Sequence, residues 1–157
     1  MDNFVGNLRC PNCGVTSQAD ESTNMVTYIR SKPEMTYLGT GHPLQINMDR
    51  IEESGYLIIK IPKMNEDVHI LHAWGCPACG IWPHWAEIIV INDEIKSISP
   101  VRLDRKVFER ANLIDYEVKA SAAELIGKSY ADLAYDEVVP ILRNFFNSST
   151  SDDLIID

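Results

Sequence analysis

The feature that most constrains this chain is a five-residue motif that occurs twice, as Cys10-Pro11-Asn12-Cys13-Gly14 and as Cys76-Pro77-Ala78-Cys79-Gly80. The two copies contain all four cysteines of the 157 residues. A two-residue spacer lets both sulfurs of a pair point at one ion from a tight turn, which proline and glycine at these positions favour. Two such pairs supply the four thiolates of a tetrahedral structural metal site. The sequence therefore predicts one metal ion that joins two distant parts of the chain.

Both motifs resemble the knuckles of zinc-ribbon and rubredoxin-like proteins. The resemblance implies that one structural zinc ion is bound by Cys10, Cys13, Cys76 and Cys79. Compact ribbons place about 15–20 residues between the two pairs, whereas 62 residues (14–75) lie between them here. We expect a large insertion between the knuckles; the alternative is that each pair meets a different partner. Iron in an electron carrier would use the same ligands, and disulfides or a redox-active pair are further alternatives.

Charge and hydropathy narrow the class of partner and the compartment. The formal net charge is −9, and no stripe rich in lysine or arginine is visible, which argues against binding through nucleic-acid phosphates. An acidic surface suits a basic protein partner, although it also serves plain solubility. No apolar run approaches the roughly 18–20 residues of a membrane span. The N-terminus lacks a basic segment followed by an apolar one, so we expect a cytoplasmic protein without a membrane anchor.

The pattern predicts an α+β fold in which an antiparallel sheet surrounds a zinc-ribbon core and short helices follow. β-branched and aromatic runs bounded by turn residues predict the strands Met25–Arg30, Tyr56–Ile61, Val68–Trp74, Trp85–Ile91 and Glu94–Ile98. We expect the second and third of these runs to pair as a hairpin, and the last two to pair through a turn at Asn92-Asp93. The predicted organisation is a zinc-ribbon β domain at residues 1–100, a helical part packed on it at 101–147, and a mobile acidic tail at 148–157.

Helix signals concentrate in the C-terminal third. Asp104 is a suitable N-cap for a helix at Arg105–Ala111, and Ser121 opens a capping box for a helix that Gly127 closes. Pro140 suits the first position of a helix at Ile141–Phe146. The intervening segment Leu113–Lys119 is ambiguous between a strand and an extended linker.

Aromatic residues cluster around the second motif. Trp74, Trp82 and Trp85 flank it, and His84 lies between the last two. Aromatic side chains beside a metal knuckle commonly complete a small core, which is the favoured interpretation here. The alternatives are a surface for a protein partner and, less favoured, a platform on which bases stack.

Taken together, the sequence favours a non-enzymatic zinc protein that acts by binding another macromolecule, most readily a protein. No catalytic signature accompanies the cysteines. A nucleic-acid-binding ribbon is the first alternative and an iron electron carrier is the second. The order of two knuckles, β insertion and helices is also similar to a bacterial zinc-ribbon family found beside restriction systems, which implies a defence or counter-defence setting. The C-terminal third departs from that family because it lacks the expected long helix.

Overall fold

The computed structural model describes residues 1–30, 32 and 34–148, and within them the predicted α+β class is confirmed. The strands are β1 (Asp2–Phe4), β2 (Val26–Thr27), β3 (Tyr37–Leu38), β4 (Tyr56–Ile58), β5 (Val68–Trp74), β6 (His84–Ile91), β7 (Glu94–Val101) and β8 (Leu113–Asp115). The α-helices are α1 (Arg105–Arg110), α2 (Val118–Leu125) and α3 (Tyr135–Ser148). Short 3₁₀ helices occupy Met48–Arg50, Glu52–Ser54 and Tyr130–Asp132.

The main sheet has five strands in the order β4-β8-β5-β6-β7. Three of its four strand pairings are antiparallel, but β5 and β8 run parallel, so the sheet is mixed rather than wholly antiparallel. A second sheet has the order β2-β1-β3 and also contains one parallel pair. Parallel neighbours need long connections, which local sequence patterns do not reveal.

The predicted hairpin of Tyr56–Ile61 with Val68–Trp74 is wrong. Strand β8 lies between β4 and β5, so these two strands are not hydrogen-bonded neighbours. The polar segment between them does turn, since the Glu66 N–H donates to the Lys63 carbonyl. Leu113 and Ile114 of β8 are fully buried, one on each face of the sheet, and this burial favours an interior position for β8.

The main sheet has a hydrophobic core on each face, because side chains alternate along each strand. Leu71 and Ala73 of β5 face the helices, whereas Ile70 and Trp74 face the layer built from the N-terminal segment and the smaller sheet. The helical side also includes Phe108, Leu142 and Phe146, among other residues. The sheet is therefore the middle of three layers, and one end of it carries the second cysteine motif.

Three predicted β features differ in accuracy. The turn at Asn92-Asp93 is confirmed, with both residues at positive φ (51° and 59°), as a two-residue hairpin turn requires. The returning strand β7 extends to Val101, beyond the predicted Ile98. The strand predicted at Met25–Arg30 shortens to Val26–Thr27, since only these two residues pair with β1.

The predicted helix starts agree with the structure at one position out of three. Asp104 caps α1 as expected, with its Oδ1 accepting from the Val107 N–H at 3.0 Å. Helix α2 begins at Val118, so Ser121 lies inside the helix rather than at its cap, although Gly127 follows its end at φ 69° as predicted. Pro140 is likewise internal to α3, which begins five residues earlier at Tyr135. In both helices, burial of apolar residues upstream extends the helix beyond its local start signal.

The C-terminal part is not a separate appendage to the sheet. Its strand β8 completes the sheet, and its helices cover one face of it. The division at residue 100 therefore stays a prediction about folding units. The proposed tail at 148–157 lies outside the described residues except for Ser148. Among the described helices, none is both long and apolar enough to cross a membrane.

Candidate metal centre

The first knuckle is a tight loop closed by its own backbone. The Cys10 N–H donates to the Val15 carbonyl at 2.9 Å, and the Gly14 N–H donates to the Cys10 carbonyl at 3.0 Å. Gly14 has a φ of 79°, a conformation that a side chain would strain. A single β-bridge between Arg9 and Thr16 flanks the loop. The motif therefore forms a turn in which the chain reverses direction around its two cysteine sulfurs.

The second knuckle repeats this geometry at the end of β5 and β6. The Cys76 N–H donates to the Ile81 carbonyl at 3.1 Å, and the Gly80 N–H donates to the Cys76 carbonyl at 2.8 Å. Gly80 has a φ of 74°. In each knuckle the first cysteine, Cys10 or Cys76, is buried and the second is exposed. Both copies of the motif thus adopt the same local structure.

The structure brings the four sulfurs together, as the sequence predicts. The Sγ atoms of Cys10 and Cys79 are 3.7 Å apart and those of Cys13 and Cys76 are 3.6 Å apart. All four lie within 4.8 Å of one another. Ligands at about 2.3 Å from a tetrahedral ion are about 3.8 Å apart, whereas a disulfide requires about 2.0 Å. The four free cysteines therefore fit one metal ion, and the two knuckles meet although residues 14–75 separate them in the sequence.

Hydrogen-bond donors surround the sulfurs. The N–H groups of Asn12 and Cys13 each lie 3.4 Å from the Cys10 Sγ, and the Cys79 N–H lies 3.5 Å from the Cys76 Sγ. The Asn12 Nδ2 reaches across to the Cys79 Sγ at 3.7 Å. Four thiolates exceed the charge of a divalent ion by two, and such donors disperse that excess.

His84 is a further neighbour of the site. Its Nε2 lies 3.5 Å from the Cys10 Sγ, and its ring lies against Trp74 with centroids 4.9 Å apart. Burial lowers the pKa of His84, which favours the neutral imidazole. A neutral ring with a proton on Nε2 donates to the thiolate, so His84 supports a ligand and the coordination sphere needs no fifth group.

The two exposed thiols differ in acidity when no metal is bound. The N–H of Ile81 is the largest cause that lowers the pKa of Cys79, to about 7. The N–H of Val15 also lowers the pKa of Cys13, but lost hydration and the neighbouring sulfurs outweigh it and raise that pKa to about 11. Closely spaced thiols cannot all ionise without a cation. At neutral pH, metal binding must therefore displace a proton from this cluster.

A cavity of about 570 Å³ lies beside the first knuckle. Arg9 and Arg102 contribute positive charge to its lining, which also includes Trp74, Trp85 and His84. The Nε1 atoms of both tryptophans have no hydrogen-bond partner within the described residues. The two arginines thus give the lining positive charge, which complements the net negative charge of a divalent ion held by four thiolates.

The structure separates the four residues proposed as a partner surface. Trp74 and Trp85 are buried, as the favoured core interpretation predicts, and His84 is buried as well, so these three offer no surface to a partner. The core interpretation is wrong for Trp82, which alone of the four is exposed, at 41% of its surface. Its ring packs over Gly75, where an added Cβ would come within 3.0 Å of the ring. Only Trp82 therefore remains from that set as a contact residue.

Sequence reasoning missed an ionic cluster around the buried Glu87 on the helical face of the sheet. Arg110 of α1 donates to both carboxylate oxygens of Glu87 at 2.8 Å, and the His69 Nδ1 lies 2.8 Å from one of them. Burial raises the pKa of Glu87, but these hydrogen bonds outweigh it and hold the pKa below its usual value. The sequence signal that could have revealed this cluster was Glu87, a single acidic residue within an otherwise apolar strand. Because its oxygens are satisfied, the cluster clamps α1 to the sheet.

Asn12 and the two cavity arginines were also missed, since their roles depend on proximity to the other knuckle. The arrangement can hold one ion with four sulfurs and can thereby tie the N-terminal layer to the end of the main sheet. No protein-family model matches the chain, and comparison with curated proteins and with solved structures finds no significant match to either.

Proposed function

We propose that this protein is a non-enzymatic binding module in which a structural zinc ion holds a surface that contacts another protein. Support for zinc comes from the donor set: four thiolates arranged as a tetrahedron are typical of structural zinc. Four thiolates also complete the coordination of such an ion and leave no position for a substrate. Since the thiols must stay reduced to bind the metal, we further propose a reducing compartment, the cytoplasm.

The observation that carries the binding role is the exposed apolar pair next to the second knuckle. Ile81 and Trp82 directly follow the motif and are 46% and 41% exposed. Tryptophan is enriched in the centres of protein interfaces because it offers a large, rigid contact area. Further apolar or aromatic side chains are exposed on α2 and on the chain leading into α3: Leu125, Ile126, Tyr130 and Tyr135.

Electrostatics favours a protein partner over nucleic acid. The chain carries a net charge of −9, which repels phosphate backbones. Two arginines, Arg9 and Arg102, line the cavity beside the first knuckle, and their charge is matched there by the excess charge of the thiolates. A nucleic-acid-binding ribbon, including one in a bacterial defence setting, therefore ranks second.

The metal is tested by native mass spectrometry with elemental analysis of the purified protein. We expect one zinc ion per chain. Iron would instead support an electron carrier, and a metal-free chain with two disulfides would overturn the staple.

The binding role is tested by chemical crosslinking in cells with matched variants. We expect one partner to be captured by the wild type and by Met64→Ser, which removes another exposed apolar side chain (90% exposed) far from the knuckles in sequence. The Ile81→Ser/Trp82→Ala variant should lose that partner. Equal capture by both variants, or salt-sensitive retention on DNA or RNA in place of a protein, would overturn the proposal.

A further inference from the structure

A groove lies between Trp82 and the surface of α2, on the side of the molecule that carries the proposed contact residues. Its volume is about 470 Å³. Trp82 and Tyr130 provide aromatic lining, and small residues of α2, including Ala120 and Ser121, line it between two glutamates. Small side chains leave room for an inserted group, and the Trp82 ring is already positioned over Gly75.

The groove carries unpaired negative charge. Glu117 and Glu124 line it and are seven residues apart, so they lie on one face of the helical segment, two turns from each other. Neither forms an ion pair with any residue in the ranges 1–30, 32 and 34–148. Lost hydration and the nearby charge of Asp115 raise the pKa of Glu117, and His72 offsets this only in part. Lys128 contributes one positive charge to the lining.

The same surface already holds one cation over aromatic rings. The Lys119 Nζ lies 4.2 Å from the ring centroid of Tyr130 and 4.4 Å from that of Tyr135. Lys119 is buried, so its ammonium is held by these ring faces away from bulk water. Aromatic faces attract cations most strongly when water is excluded. Because Lys119 already occupies the two tyrosine rings, the Trp82 ring and the two glutamates are the groups that a cationic ligand can contact.

We infer that the groove receives an arginine side chain of a protein partner, an assignment that rests on the proposed function. The guanidinium plane would stack on Trp82 and donate to Glu117 or Glu124. Arginine suits this groove better than lysine, since a planar guanidinium can both stack on an indole and form paired hydrogen bonds with a carboxylate. The acidic net charge of the whole chain also favours a basic segment as the occupant.

The test uses the zinc-loaded full chain and three peptides of the form acetyl-Gly-Gly-X-Gly-Gly-amide, followed by nuclear magnetic resonance. X is arginine, lysine or citrulline, and citrulline is the neutral analogue of arginine. We expect the arginine peptide to shift the Trp82 indole N–H and the backbone amides of 117–125, the lysine peptide to act more weakly, and the citrulline peptide to have no effect.

Two double variants of equal charge make the test specific. Glu117→Gln/Glu124→Gln should lower the affinity for the arginine peptide about tenfold, which corresponds to a loss of roughly 1.4 kcal/mol of binding free energy from charge-assisted hydrogen bonds. Glu34→Gln/Glu66→Gln removes two exposed carboxylates elsewhere and should leave binding unchanged. Equal effects of the two variants, equal shifts with citrulline, or no shift with arginine would each overturn the inference.

The crosslinked partner distinguishes failure of this inference from failure of the proposed function. If capture depends on Ile81 and Trp82 but not on Glu117 and Glu124, the binding role stands and the arginine site is wrong. If the arginine peptide binds as expected but cells yield nucleic acid and no protein, the groove stands and the proposed function is wrong.

Discussion

The two knuckles share one local structure but differ in what supports them. Both close with the same pair of backbone hydrogen bonds, and both place a glycine at a φ near 75° (79° at Gly14 and 74° at Gly80). The second knuckle ends a hairpin in which β5 and β6 pair over seven residues from each strand, Val68–Trp74 with His84–Val90. The first is a loop flanked by one bridge, between Arg9 and Thr16.

This difference indicates which knuckle depends on the metal. The hairpin positions Cys76 and Cys79 through sheet hydrogen bonds and packing of the β5 and β6 side chains. The first knuckle is anchored near its ends, where the Ser17 Oγ accepts from the Leu8 N–H and donates to the Gly6 carbonyl. We infer that the second knuckle is preformed and that the ion fixes the first knuckle against it. The motif thus determines the turn that each knuckle forms, whereas the surrounding fold determines how stable that knuckle is without the metal.

The largest effect is expected from removal of a ligand. Cys10→Ser and Cys76→Ser should each abolish metal binding and lower the melting temperature by about 15 °C or more, because the free energy of metal binding contributes directly to folding. Hydrogen exchange should then separate the knuckles: amides of residues 8–17 should lose protection in both variants, while those of β5 and β6 remain protected. Thermal denaturation, elemental analysis and exchange mass spectrometry measure these changes.

Serine is close in size to cysteine, so the cysteine variants change little besides the ligand atom. Thr16 is exposed and flanks the first loop, and Thr16→Ser is therefore the control for introducing a serine there. It should retain metal and melting temperature. Metal retained by Cys10→Ser, or equal loss of protection in β5 and in residues 8–17, would contradict the view that the ion fixes the first knuckle.

An intermediate effect is expected in the reactivity of the two exposed cysteines. In metal-free protein at pH 8, Cys79 with a pKa of about 7 is mostly thiolate, whereas Cys13 with a pKa of about 11 is almost wholly protonated. Allowing for the lower nucleophilicity of the more acidic thiol, we expect Cys79 to react with iodoacetamide about tenfold faster.

Peptide mapping at timed intervals measures this ratio, and zinc-loaded protein is the control in which both should be protected. The ratio of the Cys79 rate to the Cys13 rate should fall as the pH is raised, since Cys13 loses its proton only as the pH approaches 11. Equal rates at pH 8 would show that the two knuckles present chemically equivalent thiols.

The smallest effect concerns the one motif position at which the knuckles differ, Asn12 against Ala78. The amide of Asn12 contacts the Cys79 Sγ at 3.7 Å across the site, and Ala78 has no such group. Asn12→Ala should lower the zinc affinity about threefold in a competition assay. This effect is smaller than the usual loss of affinity when a buried supporting group is removed, because the Asn12 contact is exposed. Ala78→Ser is the control and should bind zinc as the wild type does. Equal weakening by both would assign the effect to the loops and not to the amide.

Features encoded within a few consecutive residues were predictable from the sequence. Two cysteines spaced by two residues within a turn could be recognised as ligands because that geometry is local, and so could the Asp104 cap and the Asn92-Asp93 turn. The burial of Trp74 and Trp85 followed from their place on strands next to the motif. Predictions failed where a distant segment supplied the stabilising contacts, as at Ser121 and Pro140, whose helices extend upstream because apolar residues there pack on the sheet.

The sequence by itself thus determined the candidate ligand set, the α+β class and the principal turns, since these depend on residue chemistry and on short-range backbone geometry. Only the tertiary structure decided that β8 separates β4 from β5, that the two knuckles meet across 62 intervening residues, and that Trp82 alone of the three tryptophans faces solvent. These outcomes depend on which distant surfaces bury each other most completely. That is a property of the whole chain, and no single stretch of sequence contains it.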